Sequence, residues 1–260
     1  MKKISNFTQT YQGTLEWSPG SDCKNRDFLI DAFIKDENKI KCYKLLDYIT
    51  FNFHNFNNDK DKELYKKIKT VLPNVVGFLY KNMTFGKSIY LHLNQLKEEG
   101  ITDFLWVQDD EFFTYEKFED FQKIFNFYKE NNDIKNLSLK YNIEDVGNVS
   151  PVKKYNLSDG IIINEYKTTQ ITNMAYCMDF TAFICNIDYF LDNMFEESFI
   201  NIRDAYVLEG AVMKKSLDNK IQRCFANINF FSSFNIVGMV SSLGDSETSM
   251  KKLKEMYLDK

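Results

Sequence analysis

Residues 104–113 read Phe104-Leu105-Trp106-Val107-Gln108-Asp109-Asp110-Glu111-Phe112-Phe113: four apolar side chains run into three acids, and two phenylalanines follow at once. The apolar run has the length and composition of a short buried strand. Three adjacent carboxylates at its end repel one another unless a positive charge lies among them. A metal ion is one such charge. The plainer alternative is an acidic cluster favoured by the macrodipole of the helix that follows.

Working outward, runs at 2–11, 46–53, 75–80 and 103–108 read as strands, and runs at 26–34, 61–72 and 88–100 as helices. This alternation predicts an α/β domain with a mainly parallel sheet. In the third helix Ile89, Leu93 and Leu96 share one face, and Gly100 stands where a C-terminal cap belongs. After the acids, Phe118, Phe121, Phe125 and Tyr128 keep helical spacing up to Asn131-Asn132-Asp133. The second half is less regular, with strand-like runs at 136–141, 160–167, 174–184 and 223–231 and helix-like runs near 187–195, 203–217 and 246–258. Residues 142–158 are polar and read as a surface loop. A single domain over 1–260, with halves 1–115 and 116–260, is the expected organisation.

The 260 residues are 44% apolar and 16% aromatic, enough for a large core. Lys and Arg number 33 against 37 Asp and Glu, a net charge of −4, so no basic field argues for a nucleic-acid partner. Cys23, Cys42, Cys177, Cys185 and Cys224 are odd in number and form no C-x-x-C pair, which reads as reduced core thiols. The N-terminal segment has no apolar run behind its lysines, and no stretch approaches a membrane span. A soluble, cytoplasmic protein is expected.

In open α/β sheets the ligand crevice lies outside the carboxyl ends of the strands, where Asp109, Asp110 and Glu111 fall. Carboxylates suit Mg²⁺ or Mn²⁺, which keep coordination positions for phosphate oxygens. Thr10 and Tyr11 close the first strand and Phe53-His54-Asn55 the second, so both ends lie beside the same crevice. Tyr11 is a candidate to stack on a base, Thr10 or His54 to bond its edge, and Arg26 or Lys87 to meet phosphate. Gly86-Lys87-Ser88 lacks the earlier glycine of a phosphate-binding P-loop. His92 lies within the third helix and reads as structural.

With the acids in this place, the sequence resembles glycosyltransferases built on a single nucleotide-sugar-binding GT-A-type domain, similar to family 2 and to small glycosyltransferases of large DNA viruses. The resemblance rests on the apolar strand ending in Asp109-Asp110-Glu111, in the position of a D-x-D motif, and on the turn at residues 82–88 before the preceding helix. It implies a three-layer α/β sandwich with a mixed C-terminal part, a nucleotide-sugar half at 1–115 and an acceptor half at 116–260. It also implies a donor such as a UDP-sugar bound with Mn²⁺ or Mg²⁺ on Asp109, Asp110 and Glu111, and a glycan, lipid-linked or protein acceptor. More loosely, residues 179–183 and 203–209 resemble the part that supplies a catalytic base in inverting members, which makes Asp204 and Glu209 candidates. Five residues apart on one helix, these two point about 140° away from each other. As ordinary residues they would be a helix N-cap and a solvated acid. Where related enzymes often place a metal-binding His after the last strand, residues 233–235 offer Asn235.

Two other readings share this sequence. A nucleotidyltransferase would use the same acids but normally has a Gly-rich phosphate loop, which residues 8–22 lack. A non-catalytic nucleotide-sugar or carbohydrate-binding module would keep binding without turnover.

Overall fold

The computed structural model describes residues 1–11, 27–54, 58–80, 83–140, 149–170 and 180–233, with the backbone alone at Gln9, Thr10, Tyr11, Asp27, Phe28, His54, Asn58, Lys60, Leu79 and Ser233. Arg26, Asn235, Cys23, Cys177 and the helix expected near 246–258 lie outside the described residues.

The strands are β1 (Ile4–Phe7), β2 (Gln9–Tyr11), β3 (Thr50–His54), β4 (Val76–Tyr80), β5 (Asp103–Trp106), β6 (Glu111–Phe113), β7 (Asn136–Ser138), β8 (Lys153–Asn156), β9 (Ile162–Lys167), β10 (Phe183–Asn186), β11 (Gln222–Ala226) and β12 (Phe231–Ser233). The helices are α1 (Asp27–Phe33), α2 (Glu37–Lys44), α3 (Asn58–Val71), α4 (Phe85–Glu98), α5 (Phe118–Glu130), α6 (Ile187–Asn193) and α7 (Ala205–Asp218). Seven strands form the central sheet in the order β1-β5-β10-β7-β11-β9-β8, beside a sheet β2-β3-β4 and a ribbon β12-β6.

In the first half every pairing within these two sheets is parallel: β1 with β5, and β3 with both β2 and β4. Antiparallel pairs enter with strands of the second half, where β10 lies between β5 and β7, and β9 between β11 and β8. The α/β fold with a mixed C-terminal part is therefore as the sequence predicts. At Thr8 the chain changes partner. Thr8 O accepts from Asn52 N at 2.8 Å, and the Asn6 amide exchanges bonds with the Thr50 backbone, so β1 and β3 are joined partly through a side chain.

Strand alternation sorts the core into two faces, as a pleat requires. Leu105, Val107, Ile184 and Leu137 pack on one side with Phe33, Tyr43, Phe121 and Phe125 of α1, α2 and α5. Phe104, Trp106, Phe183 and Cys185 pack on the other with Ile89, Leu93, Phe190 and Leu208 of α4, α6 and α7. Three layers result. Cys42, Cys185 and Cys224 are buried free thiols.

Two local expectations are corrected. A helix, α2, occupies residues where no helix was expected. A strand, β8, lies inside the stretch expected to be loop. β8 is an edge strand whose side chains are mostly exposed, so it shows no apolar alternation, and Lys153 and Lys154 discourage pairing with another chain.

Gly86 opens α4 directly beneath the chain at 199–202: its amide donates to Ile202 O at 3.0 Å, and a Cβ there would lie 1.9 Å from Phe199 O. Gly86→Ala is expected to lower unfolding free energy in urea by about 1–3 kcal/mol, because backbone must move. Gly210→Ala, in open space within α7, is expected to raise it by about 0.5–1 kcal/mol. Equal effects of the two substitutions would refute this account.

Candidate functional site

β5 ends at Trp106, which stacks between Phe7 and Phe180 at ring distances of 4.5 Å each and donates from Nε1 to Phe180 O. Above this column the chain turns through the three acids. Glu111 N donates to Gln108 O at 3.3 Å, closing the turn, and the Glu111 carboxylate accepts from Gln108 N and Ala182 N at 2.9 Å each. Glu111, grouped by the sequence with the aspartates as an ion ligand, thus has each of its oxygens on a backbone amide.

The positive charge beneath the turn is a lysine. Lys39 is 0% exposed, and its Nζ donates to the carbonyl oxygens of Gln108, at 2.9 Å, and of Glu111. It also lies over the Phe112 ring at 4.9 Å. Asp36, the N-cap of α2, accepts from Lys39 N through one oxygen and from Phe113 N through the other. One turn of helix therefore grips residues 108–113 from below.

Burial pushes the Lys39 ammonium down, while Asp36, Glu111, Asp109 and Asp110 pull it back up. Burial likewise pushes the Glu111 carboxyl up to about 7, against Lys140, the Gln108 amide and Lys39. Asp109 is 3% exposed and Asp110 is half-buried. Sequence reading missed Lys39, Asp36 and Lys140. The one available signal was the Asp36-Glu37 pair, which has the form of a helix start.

The topology brings several other candidates to the same edge. β1 and β5 are parallel with Phe7 opposite Trp106, and the chain continues from β1 into β2. Thr10 and Tyr11 therefore lie beyond that level, on the side of the acids. Tyr11 is opposite His54 in the β2-β3 register, so His54 shares this edge. His92 is buried elsewhere: its Nε2 lies 3.3 Å from Asn6 O and from Thr50 Oγ1, and burial holds its pKa down at about 4.

Lys87 is exposed in the first turn of α4, and its amide donates to the capping Thr84. With Gly86 N bonded to Ile202 O, the start of α4 is covered by protein rather than open as a phosphate cradle. Asp204 is the N-cap of α7, its carboxylate accepting from Val207 N at 2.9 Å. Glu209 accepts from Phe180 N at 2.7 Å. It thereby holds the same segment, 180–182, that Glu111 holds through Ala182. Of the two acids, only Glu209 has a bond linking it to the acidic turn's surroundings among those described.

Among the described residues no three His, Cys, Asp or Glu side chains form a cluster able to hold a metal ion. By chemistry alone, the carboxylates of Asp109 and Asp110 are of the type that suits a hard divalent ion bound by one or two carboxylates and completed by substrate phosphates and water. Among the described residues no helix is long and apolar enough to cross a membrane.

No family model matches the chain. Across 193 residues it is 28% identical to a valine--tRNA ligase of Mesoplasma florum, covering 71% of this chain and 22% of that protein. It thus spans about a fifth of that relative. Among solved structures it is similar to S. aureus TarS 1–349, with a TM-score of 0.52 at 13% identity, over 98% of this chain and 70% of that one. It has a weaker likeness to a UDP-glucose pyrophosphorylase complexed with UDP-glucose, with a TM-score of 0.45 at 10% identity over 100% of both chains. The likeness to S. aureus TarS 1–349 shows a shared GT-A-like α/β fold.

The buried carboxyl makes a pH prediction. The folded protein holds a proton on Glu111 more tightly than the unfolded chain, so this group favours folding fully below about 4.5 and loses that contribution as pH rises through about 7. Urea unfolding of wild type and Glu111→Gln between pH 4.5 and 8 is expected to show the wild type losing up to about 3 kcal/mol relative to the variant. His92 titrates in the opposite sense and cancels in the difference. Parallel profiles would mean that Glu111 does not change protonation in this range.

Proposed function

We propose that this chain is a metal-assisted glycosyltransferase that moves a sugar from a nucleoside-diphosphate sugar to an acceptor hydroxyl, with inversion. The observation that carries the reading is the acidic turn at the carboxyl end of β5, held from beneath by Lys39 and Asp36, on the same edge as Tyr11 and His54. This is the crevice where an α/β sheet binds its ligands.

Asp109 and Asp110 would hold Mn²⁺ or Mg²⁺, which when bound neutralises charge on the departing diphosphate. Glu111 would act as the anchor that keeps the turn in shape. Thr10, Tyr11 and His54 would receive the nucleoside, and Arg26 and Lys87 are the candidates to meet phosphate. The reaction forms a bond from the acceptor oxygen to the anomeric carbon and breaks the bond from that carbon to the diphosphate. The acceptor's proton goes to a carboxylate base. Glu209 is the preferred base, since its bond to Phe180 N ties it to the segment that Glu111 also holds, whereas Asp204 caps α7. A glycan, a lipid-linked sugar or a protein side chain would supply the acceptor hydroxyl.

A nucleotidyltransferase on the same fold would attack a phosphorus and need donors cradling a triphosphate. The lack of a G-x-G phosphate loop in residues 8–22 favours the transferase of sugars over it.

Thermal unfolding with UDP-, GDP- and dTDP-sugars, with and without Mn²⁺, tests the reading. A ligand at about 100 times its Kd adds about 2.7 kcal/mol, several degrees for a chain of this size. One nucleotide sugar is expected to raise Tm only with metal, and Asp110→Asn to abolish the rise. No rise with any of them would overturn the proposal.

A further inference from the structure

A cavity of about 440 Å³ opens at the N-terminal end of α5, lined among others by Tyr115, Lys117, Asp120, Lys123, Asp159 and Asn227. Its place follows from the sheet. β10 is antiparallel to both β5 and β7, and β11 is parallel to β7, so β5, β7 and β11 end on one edge. Asn227 follows β11, and residues 158–161 lead into the antiparallel β9, so the cavity shares that edge with the acidic turn after β5. The order β5-β10-β7-β11 is three strand spacings, about 14 Å. Tyr115 lies two residues beyond β6, whose first residue is Glu111.

The walls are built rather than loose. Lys123 joins Asp120, at 3.2 Å, to Asp159 across the opening. Tyr115 OH donates to Asp120 Oδ2 at 3.2 Å. Asn227 accepts from Ile162 N and donates to Gly160 O, tying the far wall to β9. Asp159 has φ of +59°, a left-handed conformation that costs a residue with a side chain, and Gly160 follows at +77°.

The chemistry selects a ligand. Two lysines face three acids, Glu119, Asp120 and Asp159, so the cavity has no surplus positive charge to receive a phosphate or uronate chain. Carboxylates, an amide and ammonium groups beside a half-buried tyrosine suit hydroxyls, each of which both donates and accepts, and the apolar face of a sugar ring. We propose that this cavity is the acceptor subsite, which holds a neutral oligosaccharide whose far end reaches along the sheet edge to the acidic turn. The proposal rests on the transferase reading above and names its acceptor class.

Saturation-transfer NMR with cellotetraose, maltotetraose and chitotetraose, and with tetragalacturonate as the anionic contrast, tests it. Asp159→Gly removes a carboxylate while relieving the left-handed strain, so the variant should fold at least as well as wild type. At least one neutral tetrasaccharide is expected to bind wild type and to lose about tenfold in affinity in Asp159→Gly, the scale of a hydrogen bond to a charged group. The nucleotide-sugar melting shift is expected to stay unchanged in that variant. Binding of none of the three neutral sugars, preference for tetragalacturonate, or undiminished binding in Asp159→Gly would each overturn the proposal. A neutral sugar lost on Asp159→Gly from a protein that shows no nucleotide-sugar shift would uphold the subsite and overturn the transferase.

Discussion

The site depends on one buried cation. Lys39 is wholly enclosed, and an ammonium taken out of water costs several kcal/mol unless its three protons are met. Two are met by main-chain carbonyls of the acidic turn, and the ammonium also lies against the Phe33 and Phe112 rings, with the carboxylates of Asp36 and Glu111 near enough to hold its charge. A lysine placed this way fixes backbone rather than side chains. The turn cannot relax without leaving the ammonium unpaired.

That constraint propagates through the layers. Asp36 caps α2 and also holds Phe113 N, so α2 and β6 are registered by one carboxylate. Glu111 holds Ala182, and Glu209 holds Phe180, so the chain entering β10 is fixed against both the acidic turn and α7. Phe180 in turn stacks on Trp106, whose strand delivers the acids. The loop is closed: strand to turn, turn to segment 180–182, and that segment back onto the strand. Polar contacts position the turn, and the aromatic column under it makes the position rigid.

The sequence revealed those parts of the fold whose burial is one-sided and whose runs are long. β5 and α4 were legible because Phe104-Leu105-Trp106-Val107 and the Ile89, Leu93, Leu96 stripe leave one reading each. α2 was not, because Glu-Asn-Lys-Ile-Lys-Cys-Tyr-Lys is eight residues with four charges and buries a lysine along with Ile40, Cys42 and Tyr43. Periodicity of apolar residues cannot register a helix whose inward face includes a charge, and so the cation under the acids was missed with it. β8 escaped for the opposite reason: an edge strand mostly open to water needs no apolar face. The acids themselves were legible as a site, but their separate duties were not, since three consecutive carboxylates look alike until the partners of each are known.

Those duties answer the electrostatic difficulty that three adjacent acids pose. Glu111 begins a strand, is buried, and has backbone amides on both oxygens with Lys39 and Lys140 nearby to favour its charge. Burial outweighs these partners and leans Glu111 towards keeping a proton, which reduces the repulsion among the three acids. Asp110 is the member left half-open to solvent, where a divalent ion could approach without first being stripped of all its water. With Asp109 and Glu111 buried and Asp110 half-open, the turn is rigid before any ligand arrives. Pre-organisation of that kind lets binding energy act on the ligand rather than on ordering the loop.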